Sequence, residues 1–161
     1  MMKSIQFTMT LFNRICCWIY PFFHRIPRWN LMSSGAYILC LELSKSISVQ
    51  IGKLGMLDFQ AGFYYYVGSA FNPKQKYPLE KRIIRHLKPL KFKNMHWHID
   101  YVLAIKDIRV HSIFMIPSRS KEECEIAAII KESTESDISR FGCSDCKCTS
   151  HLFYSRKNLF S

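Results

Sequence analysis

The chain has 161 residues, room for one domain with a core large enough to fold without disulfide staples. Its 48% hydrophobic content excludes a disordered chain. With 23 Lys+Arg against 12 Asp+Glu, the net charge of +11 points to a polyanionic partner, nucleic acid first and an anionic membrane surface second. Charge alone is equally compatible with a basic surface that binds nothing. Seven cysteines, an odd number with no clean secretory cleavage pattern, argue against a disulfide framework. They suit reduced thiols in a cytoplasmic or nuclear setting.

Residues 1–31 differ from the rest. They hold no acidic residue, four basic ones (Lys3, Arg14, Arg25 and Arg28) and an apolar-aromatic run over 15–23. Arg14, Pro21 and His24 break that run well short of the roughly 20 apolar residues of a membrane span. Four readings follow: a targeting peptide, although the segment is poor in Ser and Arg for that role; a membrane anchor with the basic surface as a lipid contact; a disordered extension; or a gene-model extension with Met32 as the true start. Subtracting its four basic residues from +11 leaves +7, so residues 32–161, taken as the domain, stay basic.

From Met32 the pattern becomes regular. Residues 37–43 read as a strand, and 48–51 alternate like its partner across a Ser-Lys-Ser turn. Gly52, Gly55 and Gly62 lead to a third strand over 63–67, rich in the aromatic residues that suit a pleated surface. A polar loop over 70–77 follows. Pro78 suits a first helical turn, and Leu79, Ile83 and Leu87 make that helix's apolar stripe, which Pro89 ends. Residues 97–103 open another helix and 110–116 form another strand. Ser120 and Glu123 have capping-box spacing at the start of a helix running to about Glu132.

Several residues can carry phosphodiester chemistry, which needs an activated water and a cation to offset developing charge on phosphorus. Tyr37 and Tyr66 lie on separate strands, so their hydroxyls can converge. A tyrosine works as a base only with a cation or metal-bound water nearby, its pKa being about 10. Arg82 can supply that cation. Arg82 and His86 are stacked at i, i+4 on one helix face, flanked by Lys81 and Arg85, which suit a phosphate backbone. Any one of these residues alone is unremarkable: tyrosines pack in sheets and helical arginines are usually solvated. The ordered combination is what raises the signal.

Gly35-Ala36-Tyr37, then Tyr66-Val67-Gly68-Ser69-Ala70, then Leu79-Glu80-Lys81-Arg82-Ile83-Ile84-Arg85-His86-Leu87 resemble, in that order, the motifs of the GIY-YIG nucleases, in particular the stand-alone Uri-type branch. The resemblance runs from Gly35 to the C-terminus, with Ala36 where the first motif has Ile. The wide separation of the two tyrosines fits a hairpin inserted over 48–62. The resemblance implies an α+β fold, a small central antiparallel sheet flanked by helices, and a metal-dependent endonuclease acting on DNA in preference to RNA; no membrane partner is expected.

In that family's scheme Tyr37 would be the general base and Arg82 the transition-state cation. His86 would orient Tyr37, and Tyr66 would contact the scissile phosphate or the attacking water. The family's metal ligand is one Glu on a later helix. Glu123 being explained by capping, Glu125 is the candidate, with magnesium or manganese as the ion. The Asn often found after that Glu is replaced by Ala127. A catalytically inactive nucleic-acid-binding module of the same fold is the alternative, since a basic helix serves a binder equally well.

Two features stand outside this scheme. Cys143, Cys146, Cys148 and His151 offer soft ligands that would select zinc. The tight Cys146/Cys148 spacing and the lack of a second pair favour a packed tail with reduced thiols instead. His96 and His98 bracket Trp97, a packing arrangement by default and a nucleic-acid contact through Trp97 otherwise.

Overall fold

The computed structural model describes residues 5–8, 34–71 and 79–161. Its strands are β1 (Ile5–Thr8), β2 (Gly35–Leu43), β3 (Ile47–Gln50), β4 (Met56–Phe59), β5 (Gly62–Ser69), β6 (Ile108–Pro117), β7 (Ser136–Asp137) and β8 (Leu152–Ser155). Its helices are α1 (Leu79–Leu87), α2 (His98–Val102) and α3 (Glu123–Glu132). The fold is α+β. Six strands form one sheet in the order β1-β6-β2-β5-β8-β7, every pair antiparallel.

Strand β2 is the spine of the molecule. Its apolar run is nearly continuous because both faces are buried. Tyr37, Leu39, Leu41 and Leu43 point to a core shared with Leu79 and Ile83 of α1 and with Ile99 and Val102 of α2. Ile38 and Cys40 point the other way, onto Ala127 and Ile130 of α3. Strand β5 alternates in the same sense, Tyr64 and Tyr66 on the first face, Tyr65 and Val67 on the second. Leu39 and Leu41 are fully buried, and each such side chain contributes about 1.5–3 kcal/mol.

One sequence expectation needs correcting. The strand at 47–50 does not pair with β2; it pairs with β4, as a separate two-stranded sheet. Both edges of β2 are already taken, by β5 and β6. The β3–β4 unit is nonetheless a hairpin within the expected insertion, and its Ile51 and Phe59 are buried in the α1/α2 core. The loop expectation at 72–77 and the Pro78 helix start lie outside the described residues. Of residues 1–31 only β1 is described, paired with β6 at the edge of the sheet. Among the described residues no helix is long and apolar enough to cross a membrane.

Candidate functional site

A cleft of about 440 Å³ opens where the ends of β2 and β5 meet α1 and the first turn of α3. Tyr37, Tyr66, Arg82 and His86, expected from sequence to act together, all line it. Register explains the first pairing: Tyr37 sits directly opposite Gly68, and Tyr66 opposite Leu39. A Cβ at residue 68 would overlap the Tyr37 ring and hydroxyl, so the glycine of the second motif makes room for the tyrosine of the first. The Tyr37 and Tyr66 ring centroids are 6.2 Å apart.

His86 belongs to the buried stripe of α1 and reaches the cleft floor, where its Nε2 lies 2.7 Å from the Tyr37 hydroxyl. Burial holds the Tyr37 phenol well above its ordinary pKa, with Tyr66 and Glu123 adding to the effect and Arg82 opposing it. Tyr66 is raised by the same first cause. Burial lowers the His86 pKa, and the positive charges of Arg85 and Lys93 reinforce this against the pull of Asp100. At neutral pH the pair is therefore a neutral phenol facing a neutral imidazole.

Beneath them lies Asp100 on α2, fully buried, a residue that sequence reasoning passed over. Its signal was legible: a lone carboxylate in the apolar run Ile99-Asp100-Tyr101-Val102 demands partners. Arg85 grips both its oxygens at 3.0 Å, the His96 and Trp97 amides donate to it at 3.0 Å, and Lys93 Nζ stands 3.4 Å away. Burial alone would raise its pKa, but the hydrogen bonds outweigh that and hold the carboxylate far below the usual range. His86 Nδ1 is 3.8 Å from Asp100, too long for a hydrogen bond but close enough for the negative charge to favour a proton on Nδ1. That tautomer leaves Nε2 to accept from the Tyr37 hydroxyl.

This geometry redirects one basic residue. Arg85, expected on a phosphate backbone, is committed to Asp100 and stacks 3.8 Å from the Trp97 ring centre. Arg82 stands on the cleft wall, 4.5 Å from the same ring. Lys81 is exposed on α1, beside a groove that Lys88 also lines. Trp97 serves as a packing partner for the two guanidiniums, and His96 and His98 line the cleft on either side of it.

The acidic candidate also moves. Glu125 is exposed on α3 and does not line the cleft, whereas Glu123 does. The capping box expected to occupy Glu123 does not form. Glu122 is the residue before the helix, and its carboxylate accepts from the hydroxyls of Ser118 at 2.6 Å and Ser120 at 2.8 Å. Glu123 is thereby released for the cleft, and its Oε1 lies 3.1 Å from His151 Nδ1. Asp145, from the loop before β8, also lines the cleft.

The C-terminal cysteines divide. Cys143 turns its Sγ toward the Thr149 carbonyl at 3.8 Å. Cys146, Cys148 and His151 instead gather with Cys124 of α3, their ligand atoms all within 4.8 Å of one another. Cys124 replaces Cys143 in the set expected from sequence. No local spacing announces it, because only the docking of α3 brings it near. Burial pushes the Cys148 thiol up to about 12, with Cys124 and Cys146 adding to the rise.

No curated protein and no solved structure matches the chain. Residues 36–160, everything from β2 to the last turn, match the family described as a domain of unknown function, DUF123, and the protein belongs to that family.

Proposed function

We propose that the protein is a metal-dependent endonuclease of GIY-YIG type that hydrolyses phosphodiester bonds in DNA. The observation that carries this reading is the 2.7 Å contact between Tyr37 and His86 Nε2, on the floor of a cleft that Arg82 and Glu123 also line. Water in the cleft gives a proton to the Tyr37 oxygen as the Tyr37 proton passes to His86 Nε2. The raised phenol pKa suits such a relay better than a standing phenolate, since Tyr37 stays neutral until the water oxygen bonds to phosphorus. Asp100 offsets the charge gained by His86. The phosphorus–oxygen bond to the departing strand breaks, and its oxygen takes a proton from solvent.

Arg82, held by the Trp97 face, opposes the negative charge that grows on the phosphorane. The donor set fits a hard cation: Glu123 offers a carboxylate at the cleft, and magnesium is commonly held by one or two carboxylates plus substrate phosphates and water. Glu123 would hold magnesium or manganese, which when bound neutralises phosphate oxygens and acidifies a coordinated water. Lys81 on α1 and Lys88 just past its end are exposed, where they meet the backbone of the bound strand.

The test is cleavage of labelled linear, branched and single-stranded DNA, with an RNA control, in magnesium or manganese, by the wild type and Tyr37→Phe. Cutting that needs the metal and is lost in Tyr37→Phe is expected. DNA binding without cutting by the wild type would make the fold a binding module.

A further inference from the structure

The geometry points to a zinc centre built from Cys124, Cys146, Cys148 and His151, which ties the loop before β8 to α3 and orients Glu123 at the edge of the cleft. It differs from the hard-cation site, and it stands whether or not the cleft cuts DNA.

The first support is distance. In a tetrahedral site with Zn–S near 2.3 Å and Zn–N near 2.1 Å, sulfur and nitrogen are roughly 3.6 Å apart. Cys146 Sγ and His151 Nε2 are separated by 3.5 Å, and all four ligand atoms lie within 4.8 Å of one another. Three sulfurs and one imidazole form a closed structural set, and their softness selects zinc over magnesium or calcium.

The second support is the orientation of His151. The residue is fully buried, turns Nε2 to the cysteines, and directs Nδ1 to Glu123 Oε1 at 3.1 Å. That is how a metal-ligating histidine is normally held: the distal nitrogen donates to a carboxylate, which fixes the tautomer and leaves the other nitrogen's lone pair for the metal.

The third support is what the loop otherwise lacks. Residues 142–151 contain no helix or strand, yet Gly142, Ser144 and Asp145 form one wall of the cleft. The backbone ties holding it include Arg140 N to Thr149 O at 2.8 Å and His151 N to Phe141 O at 2.8 Å, both at its base. Three ligands from this loop and one from α3 would fix the wall to the helix that carries Glu123.

The experiment is metal analysis of the full chain purified in reducing buffer, followed by cobalt replacement. The expected result is about one zinc per chain. Its cobalt form should show a strong thiolate charge-transfer band and intense tetrahedral visible bands. Cys124→Ser should lose most of the zinc and weaken the charge-transfer band, whereas Cys143→Ser should keep both. In case the serine variants do not fold, thiol labelling of the wild type gives a second reading: three cysteines should become reactive only after a chelator is added. A wild type without zinc, equal losses in Cys124→Ser and Cys143→Ser, or labelling indifferent to the chelator would overturn the proposal. None of these readouts depends on nuclease activity.

Discussion

Tyr37 and Gly68 face each other across β2 and β5, and the tyrosine ring fills the space that a side chain at 68 would need. The two motifs are thus halves of one contact. Gly68→Ala forces the ring off its position, away from His86. We expect a stability loss of about 1–3 kcal/mol, the usual cost of overpacking, read as a lower denaturant midpoint. Cleavage should fall further than stability does. An unchanged midpoint would mean that the ring has room to move.

Asp100 is the most heavily partnered carboxylate of the cleft region, and Asp100→Asn leaves Arg85 and Lys93 around a neutral amide. Breaking one side of a buried ion pair costs about 3 kcal/mol or more. The comparison is Glu125→Gln, an exposed change expected to stay within about 0.5 kcal/mol. Equal unfolding midpoints for the two variants would contradict the network described.

The depressed His86 pKa gives stability a pH dependence whose sign is fixed. Below the ordinary histidine value the unfolded chain takes up a proton that the folded chain refuses. Stability is therefore full above that value and declines as pH falls from it toward the lower folded pKa. Urea titrations should show this fall in the wild type, and the part due to His86 should vanish in His86→Gln. A His86→Gln profile as steep as that of the wild type would refute the assignment.

Lys81 is exposed where the bound strand is proposed to pass. Lys81→Ala should weaken DNA binding evenly across sequences and reduce the salt slope by about 1. Arg85→Ala should instead act through stability, because its guanidinium belongs to Asp100. Binding isotherms across a salt series, beside unfolding curves, separate the two effects.

Much of this fold could be read locally. The stripe of Leu79 and Ile83 marks α1, the aromatic run marks β5, and the two-sided apolar run marks β2, since these signals depend only on neighbours in the chain. What eluded reading was settled by pairings and contacts that local spacing does not single out. Residues 48–51 announce a strand but not which strand they pair with. Spacing assigns Glu123 to a cap, whereas Ser118 and Ser120 bond Glu122 and a distant His151 takes Glu123. Tyr37, Tyr66, Arg82 and His86 could be grouped because their motifs are ordered along the chain. Cys124 could not, because nothing near it in sequence distinguishes it from a packed helical cysteine.

The most direct test compares single-turnover DNA cleavage in magnesium by the wild type, Glu123→Gln and Glu125→Gln, with folding checked by thermal unfolding. We expect a drop of about 10²-fold or more for Glu123→Gln and wild-type rates for Glu125→Gln. Loss of cleavage in Glu125→Gln with Glu123→Gln unaffected would contradict the cleft as the place where the phosphodiester is cut.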